Sequence, residues 1–180
     1  EGVFSMDGDQ APVKEIAALA EQHRAWFMLD DAHGMGVYGD NGFGTVEELQ
    51  LSQSQAPIVM GTFGKAIGTG GAFIAGSQTL IDYLVNFSKH YVYSTAMPPA
   101  QAVATLYSLT HIGSDTSRRE KLAVNIEYFR ARFAQEFGEG CFAHNAATAG
   151  ALSLVGSRSA IQPVIVSCPE RAVALSDALK

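Results

Sequence analysis

Positive charge is what this sequence has least of. Its 180 residues carry 12 Lys and Arg against 18 Asp and Glu, a formal net charge of −6. The longest basic run is the pair Arg118-Arg119. Phosphate backbones and anionic membranes are bound through clustered cations, so neither nucleic acid nor a membrane surface is an expected partner. Long apolar runs are missing too. Glycine or a charge interrupts each one well short of the ~20 residues that cross a bilayer. Cysteine is scarce, and Cys141 and Cys168 stand far apart. They suit neither a disulfide framework nor a zinc knuckle, and they fit a reducing compartment. The opening EGVFSMDGD has neither the basic nor the apolar stretch of a secretory leader. It also lacks an initiator Met, and the chain closes on ALSDALK, in mid-helix by pattern. Natural domains end in looser, polar residues, so the expectation is a part of a longer protein.

Apolar residues and glycine are plentiful, at 47% hydrophobic residues and 18 glycines. That is ample for a buried core and for one domain or one and a half. A soluble, cytoplasmic, globular chain is expected, with no repeat and no low-complexity segment.

Strand and helix patterns alternate along it. Asp9 and Pro12 open a helix with Ile16, Leu19 and Ala20 as its apolar face. Trp26-Phe27-Met28-Leu29 reads as a buried strand, and residues 31–44 as a glycine-rich loop. Strands follow at 58–60 and 71–75. Ser77 caps a helix bearing Leu80, Ile81, Leu84 and Val85. Pro98-Pro99 starts another with Val103, Leu106 and Thr110. Residues 118–137 form the clearest helix, with Leu122, Ile126, Phe129, Phe133 and Phe137 on the 3.6 period. A late strand at 161–166 and a helix from Pro169 complete the pattern. The fold class is α/β with a mainly parallel sheet. A domain boundary is expected near residue 112, where glycine-dense strands give way to long helices.

In open α/β sheets, ligands bind beyond the carboxyl ends of strands. Ser5 follows Val3-Phe4. Asp30, Asp31 and His33 follow the strand at 26–29, and Thr62 and Lys65 follow the strand at 58–60. Polar groups thus converge at one edge. Lys65 is the sole charge between Ala56 and Ile81. A lysine in so apolar a run costs desolvation unless it is used or paired, and desolvation makes its amine a nucleophile for carbonyls. The alternative is a surface lysine on a flexible glycine loop. Asp30 is suited to holding a protonated ring nitrogen, or to capping a turn. His33 is a second reach to the same ligand, or a satisfied polar side chain. Metal binding by Asp30, Asp31 and His33 has no further ligand cluster to support it.

Two motifs mislead. Gly34-Met35-Gly36-Val37-Tyr38-Gly39 matches the dinucleotide fingerprint G-x-G-x-x-G, yet turn residues follow it in place of a helix. Gly64-Lys65 evokes a phosphate loop, but Ala66 stands where Ser or Thr is needed and Met60 where glycine is needed.

The longer motifs are jointly specific. LDDAHGMGVYGDNGFG, GTFGKAIGTGGAF, YVYSTAMPPAQA and SAIQP, after EGVFSMDGD, resemble the α-oxoamine synthases, pyridoxal-phosphate enzymes of fold type I. Within that group they are most similar to the 8-amino-7-oxononanoate synthase family of biotin synthesis. The resemblance runs over nearly the whole chain and is weakest at about 138–160. It implies that residues 1–111 are the later part of the cofactor-binding large domain. Residues 112–180 are then an interdomain helix and the start of a smaller α+β domain.

The resemblance also implies roles. Lys65 holds pyridoxal 5'-phosphate as a Schiff base, Asp30 bonds the pyridinium nitrogen, and His33 lies near the ring hydroxyl. Ser5 and Thr62 touch the cofactor, Thr62 near its phosphate. Ser94 and Thr95 reach the phosphate of the neighbouring subunit in a homodimer. L-alanine would lose its α-proton to Lys65 and attack a pimeloyl thioester, of coenzyme A or a carrier protein. Loss of carbon dioxide would then give 8-amino-7-oxononanoate. The family's N-terminal ring-stacking histidine and C-terminal carboxylate-binding arginine have no counterpart here. The chain alone is therefore expected to bind the cofactor poorly and turn over nothing. The competing readings are a glycine-using relative (2-amino-3-ketobutyrate ligase or aminolevulinate synthase type), a dinucleotide oxidoreductase and a non-catalytic dimerisation module.

Overall fold

The computed structural model describes residues 1–138 and 152–180. Cys141 and His144, for which the sequence suggests no role, lie outside them. The chain forms two compact units. One comprises Glu1–Val3 with Gln10–Arg119, the other Phe4–Asp9 with Glu120–Lys180.

The first unit is built on a three-stranded sheet ordered β1 (Met28–Asp30), β2 (Ile58–Thr62), β3 (Ala72–Gly76). β1 and β2 are parallel, with Met28 opposite Ile58 and Asp30 opposite Met60. β3 is antiparallel to β2, with Thr62 opposite Ala72. The expected α/β class is what forms, but within this chain only β1 and β2 pair in parallel. The link from β2 to β3 is the loop 63–71, shorter than the dozen or so residues a parallel crossover needs. The strand expected from Trp26 starts two residues later, and Trp26 is 78% exposed.

The helices of this unit are α1 (Val13–Gln22), α2 (Thr45–Glu48), α3 (Gln78–Phe87), α4 (Lys89–Val92) and α5 (Pro99–Ile112). α1 begins after Pro12 with no side-chain cap, and buries Val13 and Ala17. The expected face is turned outward, with Ile16 39% and Leu19 56% exposed. α3 starts as expected: the Ser77 hydroxyl accepts the Leu80 amide at 3.3 Å. The short helices α2 and α4 have too few residues to show a period.

In the second unit, α6 (Ser117–Phe137), whose first residues belong to the first unit, leads to the hairpin-like pair β4 (Leu152–Leu154) and β5 (Val164–Val166) and to α7 (Pro169–Ala178). Phe133 and Leu154 form its buried centre, with Leu152 and Val164 packed around them. Arg130 ties this unit together by donating to the carbonyls of Val155 and Ser157 and to Gln162 Oε1, at 2.9–3.1 Å. The expected strand at 161–166 is shorter, because Ser159, Ile161 and Gln162 are spent on turn hydrogen bonds. Among the described residues no helix is long and apolar enough to cross a membrane.

Candidate active site

β1 and β2 run in parallel, so their carboxyl ends meet at one sheet edge. Asp30 is the last residue of β1 and Thr62 the last of β2; His33 and Lys65 each follow three residues later. Four of the residues singled out in the sequence therefore belong to one edge of the first unit. Asp30 is half-buried. Its Oδ1 accepts the Ala32 amide at 3.0 Å, which leaves Oδ2 available. His33 is half-buried in the turn that follows.

The residue next to Asp30 organises that turn. Asp31 is fully buried. Its Oδ2 accepts the Thr45 amide at 2.7 Å and its Oδ1 accepts the Thr45 hydroxyl at 2.6 Å. Its carbonyl accepts the amides of Gly34 and Met35, and its own amide donates to Met60 across the sheet. Burial pushes the Asp31 carboxyl above its ordinary value; the Thr45 hydrogen bonds pull the other way, and the Asp30 charge adds to the rise. A side chain on Gly34 or Gly44 would collide with this carboxylate, and Gly44 also has a φ of +88°. Farther along the loop, Glu47 accepts the Phe43 amide at 2.9 Å and the Asn41 side-chain amide at 2.6 Å. Arg119 closes the loop by donating to the Asp40 carbonyl at 2.6 Å. The G-x-G-x-x-G match is thus a loop folded around two acidic side chains, with no helix after it to receive a pyrophosphate.

Lys65 lies in the loop 63–71 between β2 and β3. The loop is closed at its base, where Phe63 donates to Gly71 O at 2.9 Å and Thr69 to Phe63 O at 2.8 Å. A tight turn holds Lys65 itself, with the Gly68 amide on the Lys65 carbonyl at 3.0 Å. The apolar setting suggested by the sequence is not where the amine sits. Lys65 is exposed, and among the described residues nothing pairs with its Nζ. Ile67, two residues on, is the buried anchor at 3% exposure. Thr62 Oγ1 donates to Gly71 O at 3.1 Å and accepts the Gly64 amide at 3.2 Å, so its proton is committed to the loop.

The remaining candidates lie elsewhere. Ser94 and Thr95 are exposed on the stretch between α4 and α5. Ser5 is exposed in a turn of the segment Phe4–Asp9, which belongs to the second unit. No metal-binding group of His, Cys, Asp and Glu occurs among the described residues, so Asp30, Asp31 and His33 do not form one. Reading the sequence missed Thr45 and Glu47 and undervalued Asp31. The signal was present: an acid placed directly after a strand-ending acid, in a loop dense with glycine, has to be buried against something.

The donor set at the sheet edge is an amine, a carboxylate with a free oxygen, an imidazole and a hydroxyl. It suits a flat, electron-poor ring with an aldehyde. Comparison with known proteins narrows this. The family model "Aminotransferase class I and II" matches residues 1–180. The 8-amino-7-oxononanoate synthase of Cellvibrio japonicus is 46% identical over 179 residues, covering 99% of this chain and 42% of the relative. That of Methylococcus capsulatus is 52% identical over 141 residues, covering 78% of this chain and 36% of the relative. Among solved structures, the 8-amino-7-oxononanoate synthase of Francisella tularensis superposes with a TM-score of 0.79 at 28% identity, over 99% of this chain and 48% of that one. A serine palmitoyltransferase from S. paucimobilis, solved with a bound PLP-myriocin aldimine, gives 0.82 at 29%, over 98% and 44%. The chain thus spans less than half the length of these relatives. Its sequence over all 180 residues and its mixed α/β architecture agree on one conclusion: the chain belongs to the aminotransferase class I and II family.

Proposed function

We propose that this chain carries the central, cofactor-holding part of an 8-amino-7-oxononanoate synthase, an acyltransferase that joins L-alanine to a pimeloyl thioester with loss of carbon dioxide. The observation that carries the reading is the pairing of β1 and β2, which puts a carboxylate with a free oxygen and an unpaired lysine at one sheet edge. The 46% identity to a synthase of that name supports the substrate class over the glycine-using alternatives.

Pyridoxal 5'-phosphate, when bound, withdraws electrons from the α-carbon of the amino acid. This chain's residues would do the rest. Lys65 Nζ is the amine that would hold the cofactor covalently, and later take and return the α-proton. Its exposure leaves the amine accessible. Asp30 Oδ2 would accept a hydrogen bond from the protonated ring nitrogen, since a carboxylate there favours the charged form. His33 would orient the ring beside its hydroxyl. Thr62 would serve the phosphate by turning its proton away from Gly71 O. Ser5 is the remaining cofactor contact within the subunit. Ser94 and Thr95 would donate to the phosphate of the neighbouring subunit in a homodimer, which accords with their exposure. We assign cofactor binding to residues 1–111 and the start of the smaller domain to 112–180, and infer a cytoplasmic enzyme.

The test is Lys65→Ala in the full-length protein. Incubation with pyridoxal phosphate and borohydride should add no mass to the variant, whereas the parent should gain one reduced cofactor on Lys65. An adduct that survives the substitution overturns the assignment. Product from glycine in preference to L-alanine would move the protein to a neighbouring activity.

A further inference from the structure

α5 is inside out. Val103 and Leu106 are 68% and 67% exposed, while Thr105 is 5% exposed. Gln101, Thr105 and Ser108 follow one another at spacings of four and three, so they form a single stripe along one face. Burying polar groups costs free energy unless each finds a partner. All three find one, and every partner lies in the loop 63–71. Gln101 Nε2 donates to Gly70 O at 2.7 Å. Ser108 Oγ donates to Ile67 O at 2.7 Å. Thr105 Oγ1 gives its proton to Gln101 O at 2.9 Å, so it accepts from Thr69 Oγ1 across 2.7 Å. The fit is close at Gly70, where a Cβ would lie 2.8 Å from Gln101 Nε2.

We infer that Gln101, Thr105 and Ser108 are positioning residues, a polar track on α5 that holds the Lys65 loop in one conformation. The inference rests on Lys65 being the cofactor lysine. The loop needs such a track because Ile67 O and Gly70 O have no strand partner, and a backbone carbonyl without a partner leaves its segment free to move. Lys65 touches none of the three residues. It sits on the turn closed by the Gly68 amide, with the clamped residues 67, 69 and 70 directly after it. An amine that must first form a bond and then move a proton gains from being held in place.

The test uses the full-length protein with Thr105→Val, Ser108→Ala and the double variant. Amide hydrogen exchange of residues 64–70, measured without cofactor, should speed up about fivefold for each lost bond. With cofactor, kcat should fall while KM for the amino acid stays near the parent value. Thr105→Ser keeps the hydroxyl and should restore both readouts. If the double variant fails to fold, Gln101→Met removes one clamp at similar volume and should give the same pattern. Unchanged exchange at 64–70 overturns the inference. So does a proportional loss of kcat, KM and melting temperature that Thr105→Ser does not repair. Failure of the functional reading looks different: Lys65→Ala would keep the cofactor adduct, whatever the exchange rates show.

Discussion

α5 and α6 are the two longest helices, and one rule applied to both succeeds once. In α6 the 3.6-residue period of Leu122, Ile126 and Phe133 predicts the inner face. Phe133 is indeed buried, and Leu122 and Ile126 are half-buried. In α5 the same rule picks Val103 and Leu106, which face outward, while Gln101, Thr105 and Ser108 face in. α6 is placed by apolar packing against β4 and β5. α5 is placed by hydrogen bonds to a loop whose carbonyls have no other partner. Periodicity reads the first kind of burial and is blind to the second, because the partner of a buried hydroxyl is tertiary.

The comparison is broken most severely at α6. Phe133→Ala empties the centre shared with Leu154, Leu152 and Val164. It should cost about 3–5 kcal/mol, the usual range for a buried phenylalanine. Denaturant unfolding checks this, and a loss under about 1 kcal/mol would mean that α6 is not held by its apolar face.

A middle-sized effect sharpens the contrast between packed and bonded burial. Asp31 is buried by hydrogen bonds alone. Its carboxyl is raised above the ordinary 3.8, chiefly by burial, so the folded chain binds its proton more readily than the unfolded chain does. Its contribution to stability is therefore fully present below pH 3.8 and is lost as pH rises through the folded-state value. Asp31→Asn has no such proton to lose. Parent stability minus variant stability should fall with rising pH across that window and then level. A flat difference curve would show that the two Thr45 bonds fully offset the burial of the charge.

The smallest effect belongs to the outward face of α5. Val103→Ser in this chain should shift stability by no more than about 0.5 kcal/mol, as for other exposed sites. Thermal melts decide it. A loss near that of Phe133→Ala would mean that Val103 is covered after all and that α5 is not inverted.

Much of the candidate site was legible. Lys65 stood out as a lone charge in an apolar, glycine-rich run, and Asp30 and Thr62 are strand-end residues by pattern. β1 and β2 then pair in parallel, which brings those strand ends to one edge. Ser77 was readable as a cap because its acceptor role is local. What escaped was non-local. Asp31 looked like a possible ligand beside Asp30, yet its partner Thr45 is 14 residues away. The partner of Thr105 is 36 residues away. The antiparallel turn of β3 hid in a loop length.

The sequence by itself determined the residue types at the sheet edge, the α/β alternation and the family. Those rest on local pattern and on motifs long enough to be specific. Only the tertiary structure decided which faces of α1 and α5 turn inward, that Lys65 is exposed on a clamped loop, and that Asp31 is the buried post of the turn carrying His33. The reason is physical. A hydrogen bond between distant segments leaves no period in either one, so its donor and acceptor are known only when the chain has brought them together.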